Sequence, residues 1–402
     1  ANTEIASSSA ATATVTPTTD STEVPASNNV FTSAGDGLYV TTDSGIYELQ
    51  TVFPDSANIF YTDANTKERI FLCANPNCTH ADESCPSYIA TPSAMFPPML
   101  LRVGDQLLVV FTEATDSSNP HGMLMNMDGS NRRTVFELAS NQYMQGGFCT
   151  SGNDLYFDLY EINDSGNVTY QLWYVSFENG TSEKVMDLGS DSDHYSLCDG
   201  ANNELCFNHV SSDGISYCMY NPQSKTISDP FFVDSSVSGN SMIQDGYLFV
   251  LDEQASSVQR IRLSDEEQAS ASFTVKEGFG APSMRYLFDG NLMITEAQTT
   301  ASDIPTDGSY GVCSYILDFG TRNCTEFTLQ TPYNNRPVYV LTTIGDACYV
   351  ATDYKTYTPT SVSEDGTVSN FDYVANIYAF ITKQDYINSN QNGYSMVKDA
   401  FE

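Results

Sequence analysis

Three cysteines and one histidine fall within thirteen residues, as Cys73, Cys78, His80 and Cys85 in the order C-x4-C-x-H-x4-C. Thiolates and a neutral imidazole bind zinc tetrahedrally, and a Cys3His set makes a closed structural site with no open position for substrate. Asn75-Pro76-Asn77 supplies turn chemistry between the first two cysteines that could fold the loop around an ion. The alternatives are a local disulfide and unpaired cysteines in a structural role. The chain holds 10 cysteines, an even number that can all pair, and such a count points to an oxidising compartment. Other pairs that spacing suggests are Cys206–Cys218, Cys313–Cys324 and Cys149–Cys198. With either chemistry the cluster's role is structural.

Catalytic signatures are missing. The chain has no G-x-S-x-G elbow, no G-x4-G-K-[ST] loop, no H-E-x-x-H and no EF-hand loop. Asp191 and Asp193 alternate but lack the later ligands of a calcium loop, so a solvated turn is the simpler reading. His121, His194 and His209 are scattered; His209 ends a strand-like run, and His121 falls in a long loop. Two carboxylates suited to glycoside cleavage cannot be picked by spacing from 51 acids.

Composition narrows the partners. Lys+Arg total 16 against 51 Asp+Glu, a formal net charge of -35, with no basic cluster beyond Arg132-Arg133. Nucleic acid and anionic membranes are bound chiefly through Lys and Arg, so neither is expected. No run of eighteen apolar residues spans a bilayer. Residues 1–30 contain no aromatic, Lys or Arg and are dominated by small polar residues and proline. Such a segment cannot bury enough apolar area to offset its ordering entropy, and it reads as a flexible tether. A tether of this kind is expected to space residues 31–402 from an anchor, for instance a lipidated cysteine upstream of Ala1.

From residue 35 onward one theme returns. A small or acidic residue with Gly or Asn introduces a short apolar-aromatic run, seen at 44–49, 104–110, 152–157, 202–207, 244–250, 288–294 and 345–350. The starts are spaced by 60, 48, 50, 42, 44 and 57 residues. Partner runs such as 170–188 and 313–329 follow, with turns at positions like Asn179-Gly180. Four short strands per copy, repeated with a period in the forties, predict an all-β, seven-bladed β-propeller after a disordered N-terminal tether. A short helix is expected near 383–390, and 394–398 as a last outer strand.

In a four-stranded antiparallel blade, second-to-third-strand loops and blade-to-blade crossovers leave from one end. The second-to-third loops are short at 211–214 and 252–257 but long at 112–122, 160–170, 296–311 and 353–374. The long loops and the cysteine loop are therefore expected to crowd one sector. Loops on a rigid scaffold are where binding concentrates. Tyr160, Tyr310, Tyr354, Tyr357 and Phe371, with His121, are the expected contacts for a glycan, peptide or protein ligand.

The stretch 59–88 also resembles the signature of a group of exported propeller-type lipoproteins of Gram-positive anaerobes. In that group a strand-turn-strand ending in Leu-Cys runs into Pro-x-Cys-x-His and a third cysteine followed by an aromatic; the matching positions are Leu72, Cys73, Pro76, Cys78, His80, Cys85 and Tyr88. About thirty residues carry the match. The resemblance implies export and a lipid anchor, and no reaction. The expected function is a monomeric, surface-tethered binding protein with no catalytic cofactor; the alternative is a propeller-type glycosidase or polysaccharide lyase.

Overall fold

The computed structural model describes residues 31–33, 37–53, 56–91, 97–234, 240–298, 311–357, 360–362, 368–370 and 373–400. Each of the seven sequence copies supplies the second strand of a four-stranded antiparallel meander. The first meander pairs Tyr39–Thr41, Gly45–Phe53, Ser56–Asp63 and Arg69–Phe71. The second runs Met99–Val103, Gln106–Phe111, His121–Asn126 and Arg133–Glu137. The third comprises Gln142–Ser151, Asp154–Ile162, Val168–Ser176 and Thr181–Ser190; the fourth begins Asp193–Ala201, Glu204–Ser211 and Gly214–Asn221. These two join through Gly189↔His194 and Ser190↔Asp193. The fifth spans Ser241–Gln244 to Gln268–Ser272 and the sixth Phe279–Tyr286 to Asn323–Phe327. The seventh pairs Val340–Ile344, Ala347–Tyr357, Tyr373–Thr382 and Ser395–Met396, so the expected outer strand at 394–398 forms. The helix expected near 383–390 is Lys383–Ile387.

The first strands of the seventh, first, second, third, fourth and fifth meanders touch in succession, which places them around a common axis. One apolar cluster lies between each neighbouring pair of sheets. Leu107 and Val109 point into the cluster shared with the first meander, whereas Leu108 and Val110, on the opposite face of the same strand, pack with Leu155 and Phe157 of the third. Alternate side chains of one strand thus serve two clusters. Burial on both faces is why the second strands read as continuous apolar runs rather than alternating ones. The Gly or Asn that opens each copy is the first-to-second-strand turn. It takes the left-handed conformation at Gly104 (φ 55°), Gly152 (62°) and Asn202 (54°), which such tight hairpins require. No helix among the described residues is long and apolar enough to cross a membrane.

The ring meets itself between the seventh and first meanders. Ile46, Tyr349, Tyr378, Phe380 and Val397 form the cluster there. Arg69, 1% exposed, sits within it. Its Nε and Nη2 donate to Glu48 Oε2 at 3.0 and 2.8 Å, Nη2 also to Gln50 Oε1 at 2.6 Å, and Nη1 to Asp399 Oδ1 at 3.1 Å. The guanidinium lies 3.7 Å from the Phe60 ring centroid and 5.0 Å from that of Tyr378, whose hydroxyl donates to Glu48 Oε1 at 2.5 Å. Burial opposes the charge on Arg69, but Glu48 and the surrounding groups outweigh it and hold the guanidinium protonated. The C-terminal segment completes the seam: Ala379↔Met396 pairs in the seventh meander, and Lys398 then bridges Glu68 of the first.

At the other terminus, Thr32–Ser33 pairs with Cys149–Thr150 on the inner edge of the third meander. Phe31 is buried beside it, edge-on to Tyr156 at 5.3 Å, with its N–H bonded to Asn202 O at 2.8 Å. The expected tether, residues 1–30, lies outside the described residues.

Arg69→Gln leaves Glu48 buried without its cation. We expect a loss of about 3–5 kcal/mol in denaturant unfolding, the cost of breaking a buried ion pair. Arg102→Gln, on an exposed pair, should cost less than about 1 kcal/mol; equal effects would refute the seam's role.

Candidate metal centre and loop-bearing end

The cysteine-histidine loop folds as two similar turns. Asn75 Oδ1 accepts the Asn77 N–H at 3.1 Å, and the Cys78 N–H bonds Asn75 O at 3.1 Å. Asp82 Oδ1 accepts the Ser84 N–H at 2.9 Å, and the Cys85 N–H bonds Asp82 O at 3.0 Å. Each side-chain-to-backbone turn therefore presents a cysteine three residues after its Asn or Asp. His80 adopts φ 56°, and its ring stacks on Phe71, the last residue of the preceding strand, at 4.0 Å and 8°. That stack directs Nδ1 to Cys85 Sγ at 3.2 Å.

The ligand atoms of Cys73, Cys78, His80 and Cys85 all lie within 4.8 Å of one another. A tetrahedral zinc site with Zn–S near 2.3 Å sets its sulfurs about 3.8 Å apart, so the four groups need only close slightly on an ion. Each sulfur is also met by a backbone N–H two residues on: Asn75 for Cys73, His80 for Cys78 at 3.4 Å, and Ser87 for Cys85. Such donors stabilise thiolate rather than thiol. Burial pushes the Cys85 thiol up, but the Ser87 hydroxyl, His80, the Ser87 N–H and Cys78 together bring it down to about 6. Burial, with the hydrogen-bonded Cys85 and Cys78 alongside, pushes Cys73 up to about 11. One thiolate thus forms readily and hinders the next, a conflict that a dication would remove. The cluster can hold a metal ion.

A second layer fixes the loop. Ser87 Oγ lies 3.1 Å from Cys85 Sγ and accepts from Asn58 Nδ2 at 3.0 Å; the same Nδ2 reaches His80 O at 3.1 Å. Arg132 donates to Tyr88 O at 2.6 Å and to Pro86 O. Tyr88–Ala90 then returns to pair with Ser56–Asn58 of the first meander. Arg132 belongs to the third-to-fourth-strand turn of the second meander, opposite the long loops. The expectation that this loop joins the long-loop sector is therefore corrected. The crossover starts at that end, but its return strand and Arg132 hold the cluster at the outer edge between the first and second meanders.

All ten cysteines are free thiols. The register explains why the suggested disulfides do not form within sheets. Cys206 lies opposite Met219 and Phe207 opposite Cys218, so Cys206 and Cys218 face opposite sides of the sheet and enter different clusters. Cys324 lies opposite Leu317, four residues along the strand from Cys313. Cys149 and Cys198 are on adjacent meanders and remain unbonded.

The second-to-third-strand end carries rows of stacked rings. Tyr143 stacks on Tyr160 at 5.0 Å, Tyr160 meets Tyr170 at 6.1 Å, and Tyr170 stacks on His194 at 3.8 Å and 5°. His121 stacks on Phe111 at 4.4 Å and His209 on Tyr195 at 4.2 Å. Tyr354 packs against the exposed Tyr333 at 5.5 Å. Strand register builds these rows, because cross-strand partners lie close enough for rings to meet. Of the expected contacts, Tyr160, Tyr354 and His121 fall here, His121 opening a strand rather than lying in a loop. Tyr357 ends the strand Ala347–Tyr357. Tyr310 and Phe371 lie outside the described residues. Tyr143, Tyr170, His194 and Tyr333 escaped sequence reasoning; the placement of Tyr160 and Tyr170 symmetrically about one hairpin loop was the available signal.

Apart from Glu48, three further buried carboxylates each accept a backbone N–H. Asp158 accepts the Leu197 N–H of the next meander at 3.1 Å, and Asp199 accepts the Gly246 N–H at 2.8 Å. Glu296 accepts the Lys276 N–H at 3.1 Å. Asp158 and Asp199 are 1% exposed and Glu296 0%, leaving none of the three open to a substrate.

The architecture is that of a β-propeller, an all-β ring of meanders. Solved structures of the same general fold include the β-propeller domain of the Trilobed protease from Pyrococcus furiosus, at 14% identity and TM-score 0.39, covering 76% of this chain and 99% of that one. Oligogalacturonate lyase from Vibrio parahaemolyticus matches at 9% identity and TM-score 0.40, covering 87% and 91%. The tricorn protease matches at 11% identity and TM-score 0.33 over 86% of this chain, which spans only 35% of that protein. The likeness at these identities is one of fold. No protein-family model matches the chain, and no curated protein does.

Burial raises Asp158 to about 7, opposed by the N–H groups of Leu197 and Gly147, and Oδ1 has no partner. Its unfolded value is about 4. The folded state therefore binds the extra proton, and stability from this group is full below about pH 4 and lost as pH rises through 7. In urea titrations, Asp158→Asn should gain on the wild type over that window; parallel stability curves would count against it.

Proposed function

We propose that the protein is an exported, surface-tethered binding protein whose glycan, peptide or protein ligand meets the loop-bearing end of the propeller. The observation that carries this reading is the aromatic row at that end, half-buried Tyr143, Tyr160 and His194 around a buried Tyr170, on rigid strand termini rather than loop tips. Rigid aromatics supply large contact area at low ordering cost. Glu113 and Asp191 lie close enough to raise the hydroxyl pKa values of Tyr160 and Tyr170 further, after burial. The rim is therefore acidic as well as aromatic, and suits ligands rich in hydroxyl or cationic groups. Composition of residues 1–30 and the lipoprotein-like motif support export and anchoring.

The test is a screen of the purified protein on glycan and peptide arrays, followed by Tyr143→Ser/Tyr160→Ser. We expect a bound class whose signal falls at least about tenfold in the variant, a loss of about 1.4 kcal/mol, with the native circular-dichroism spectrum retained at the assay temperature. Unchanged binding by the variant, or depolymerisation of an acidic polysaccharide, would reject the reading.

The Cys/His cluster is assigned to structural zinc, on the convergence of four ligands and three N–H···S contacts. Protein purified without added metal should contain about one zinc per chain. Chelator alone should lower the melting temperature, and Cys78→Ser should abolish both the metal and the chelator effect. Cys324→Ser, outside the cluster and exposed, should change neither. A wild-type protein free of metal whose stability responds only to reductant would overturn the assignment.

A further inference from the structure

The opposite end of the ring, where first-to-second and third-to-fourth strands turn, contains a cavity of about 450 Å³ at the junction of the seventh, first and second meanders. Its lining includes Thr41, Asp43, Lys67, Arg102, Thr343 and Gly345. Two of the chain's 16 basic residues thus share one cavity in a protein with 51 acids.

Lys67 is not an ordinary surface lysine. Its ammonium donates to Ala64 O and lies 4.0 Å from the Phe380 ring centroid, spanning first and seventh meanders. Among the described residues it has no carboxylate within ion-pair distance. Its nearest acid, Asp63, is committed to the turn, with Oδ1 accepting the N–H groups of Asn65 and Thr66 at 2.8 Å each. Asp63 favours the charge on Lys67 but does not outweigh its burial, and an opposite charge from a ligand would offset the remaining cost.

Arg102 completes the arrangement. Its Nε donates to Gly104 O at 2.9 Å and Nη1 to Thr41 O at 3.3 Å, which holds the side chain along the cavity wall. Its ion-pair partner Asp105, 3.6 Å away, is fully solvent-exposed, so a water-screened contact competes weakly for it. The Thr41 hydroxyl on the lining meets that of Thr342, outside it, at 2.9 Å. Asp43 is the one acid on the lining and favours a ligand that itself carries a hydroxyl or cationic group beside its anion.

We propose that this cavity is a binding site for a small molecule bearing an oxyanion, either a carboxylate or a phosphate, held between Lys67 and Arg102. It is separate from the loop-bearing end and does not rest on the function proposed for that end. The anion would bridge meanders one, two and seven at the place where the ring closes.

The experiment is thermal unfolding at constant ionic strength, with chloride replaced stepwise by inorganic phosphate in one arm and acetate in the other. Constant ionic strength separates site binding from screening of the acidic surface. The expected result is a saturable rise in melting temperature in at least one arm, which also identifies the oxyanion. Lys67→Gln and Arg102→Gln should each weaken the apparent affinity at least about tenfold, as loss of a charge-assisted contact does. Arg133→Gln, an exposed arginine outside the cavity, removes the same charge and should leave the response intact. If Lys67→Gln folds poorly, Arg102→Gln decides alone. A response that is absent or unsaturable in both arms, or equal in all variants, overturns the proposal.

Discussion

The ring depends on one buried guanidinium. Arg69 belongs to the outermost strand of the first meander, yet its head group reaches Glu48, Gln50 and Asp399 and lies between Phe60 and Tyr378. Every other neighbouring pair of sheets follows in sequence, so chain connectivity keeps them adjacent. The first and seventh meanders lie hundreds of residues apart and have no such help. Closing them incurs the full entropy of a long loop, and a non-directional apolar contact alone would tolerate slippage. Five fixed N–H vectors on a planar group restrict how the faces meet. The buried carboxylates Asp158, Asp199 and Glu296 extend the same device, each fastening to a backbone N–H beyond its own strand.

Much of this architecture was legible because it is local. The Gly or Asn turn, the two-sided apolar run and the partner hairpin all fall within a window of forty residues, so each copy announces itself. The compactness of the Cys73–Cys85 cluster was legible for the same reason. What could not be read is long-range. Nothing near Arg69 in sequence shows that Asp399 will meet it. Nor does spacing reveal that Cys206 and Cys218 turn to opposite faces, because that depends on a one-residue register. His80 and Arg132 make the same point. The motif supplies the ligands, but the turn that clamps the loop comes from another meander and moves the cluster to the rim.

The two ends of the propeller differ in chemistry as a result of strand direction alone. Tight left-handed turns occupy one end, where short loops leave a small polar cavity with two cations. Longer connections leave from the other, where strand termini present ring after ring. All four histidines lie flat against an aromatic neighbour: His80 on Phe71, His121 on Phe111, His194 on Tyr170 and His209 on Tyr195. Such stacking fixes ring orientation without spending a hydrogen bond, which leaves the imidazole nitrogens available for other partners. His80 uses one on Cys85, and His209 uses one on Asp193 at 2.7 Å.

Phe31 decides where the molecule can be pulled from. It is wedged beside the axis, under Tyr156 and against Gly200, where a Cβ would lie 2.6 Å from the Phe31 side chain. A pull applied at residue 31 would therefore be delivered at the hub instead of the rim, through a two-residue ladder and one aromatic wedge. No ladder among the described residues is shorter than this one, and three others match it at two pairs. Were the chain pulled from residue 31, two residue pairs and one ring would take the load before any meander did.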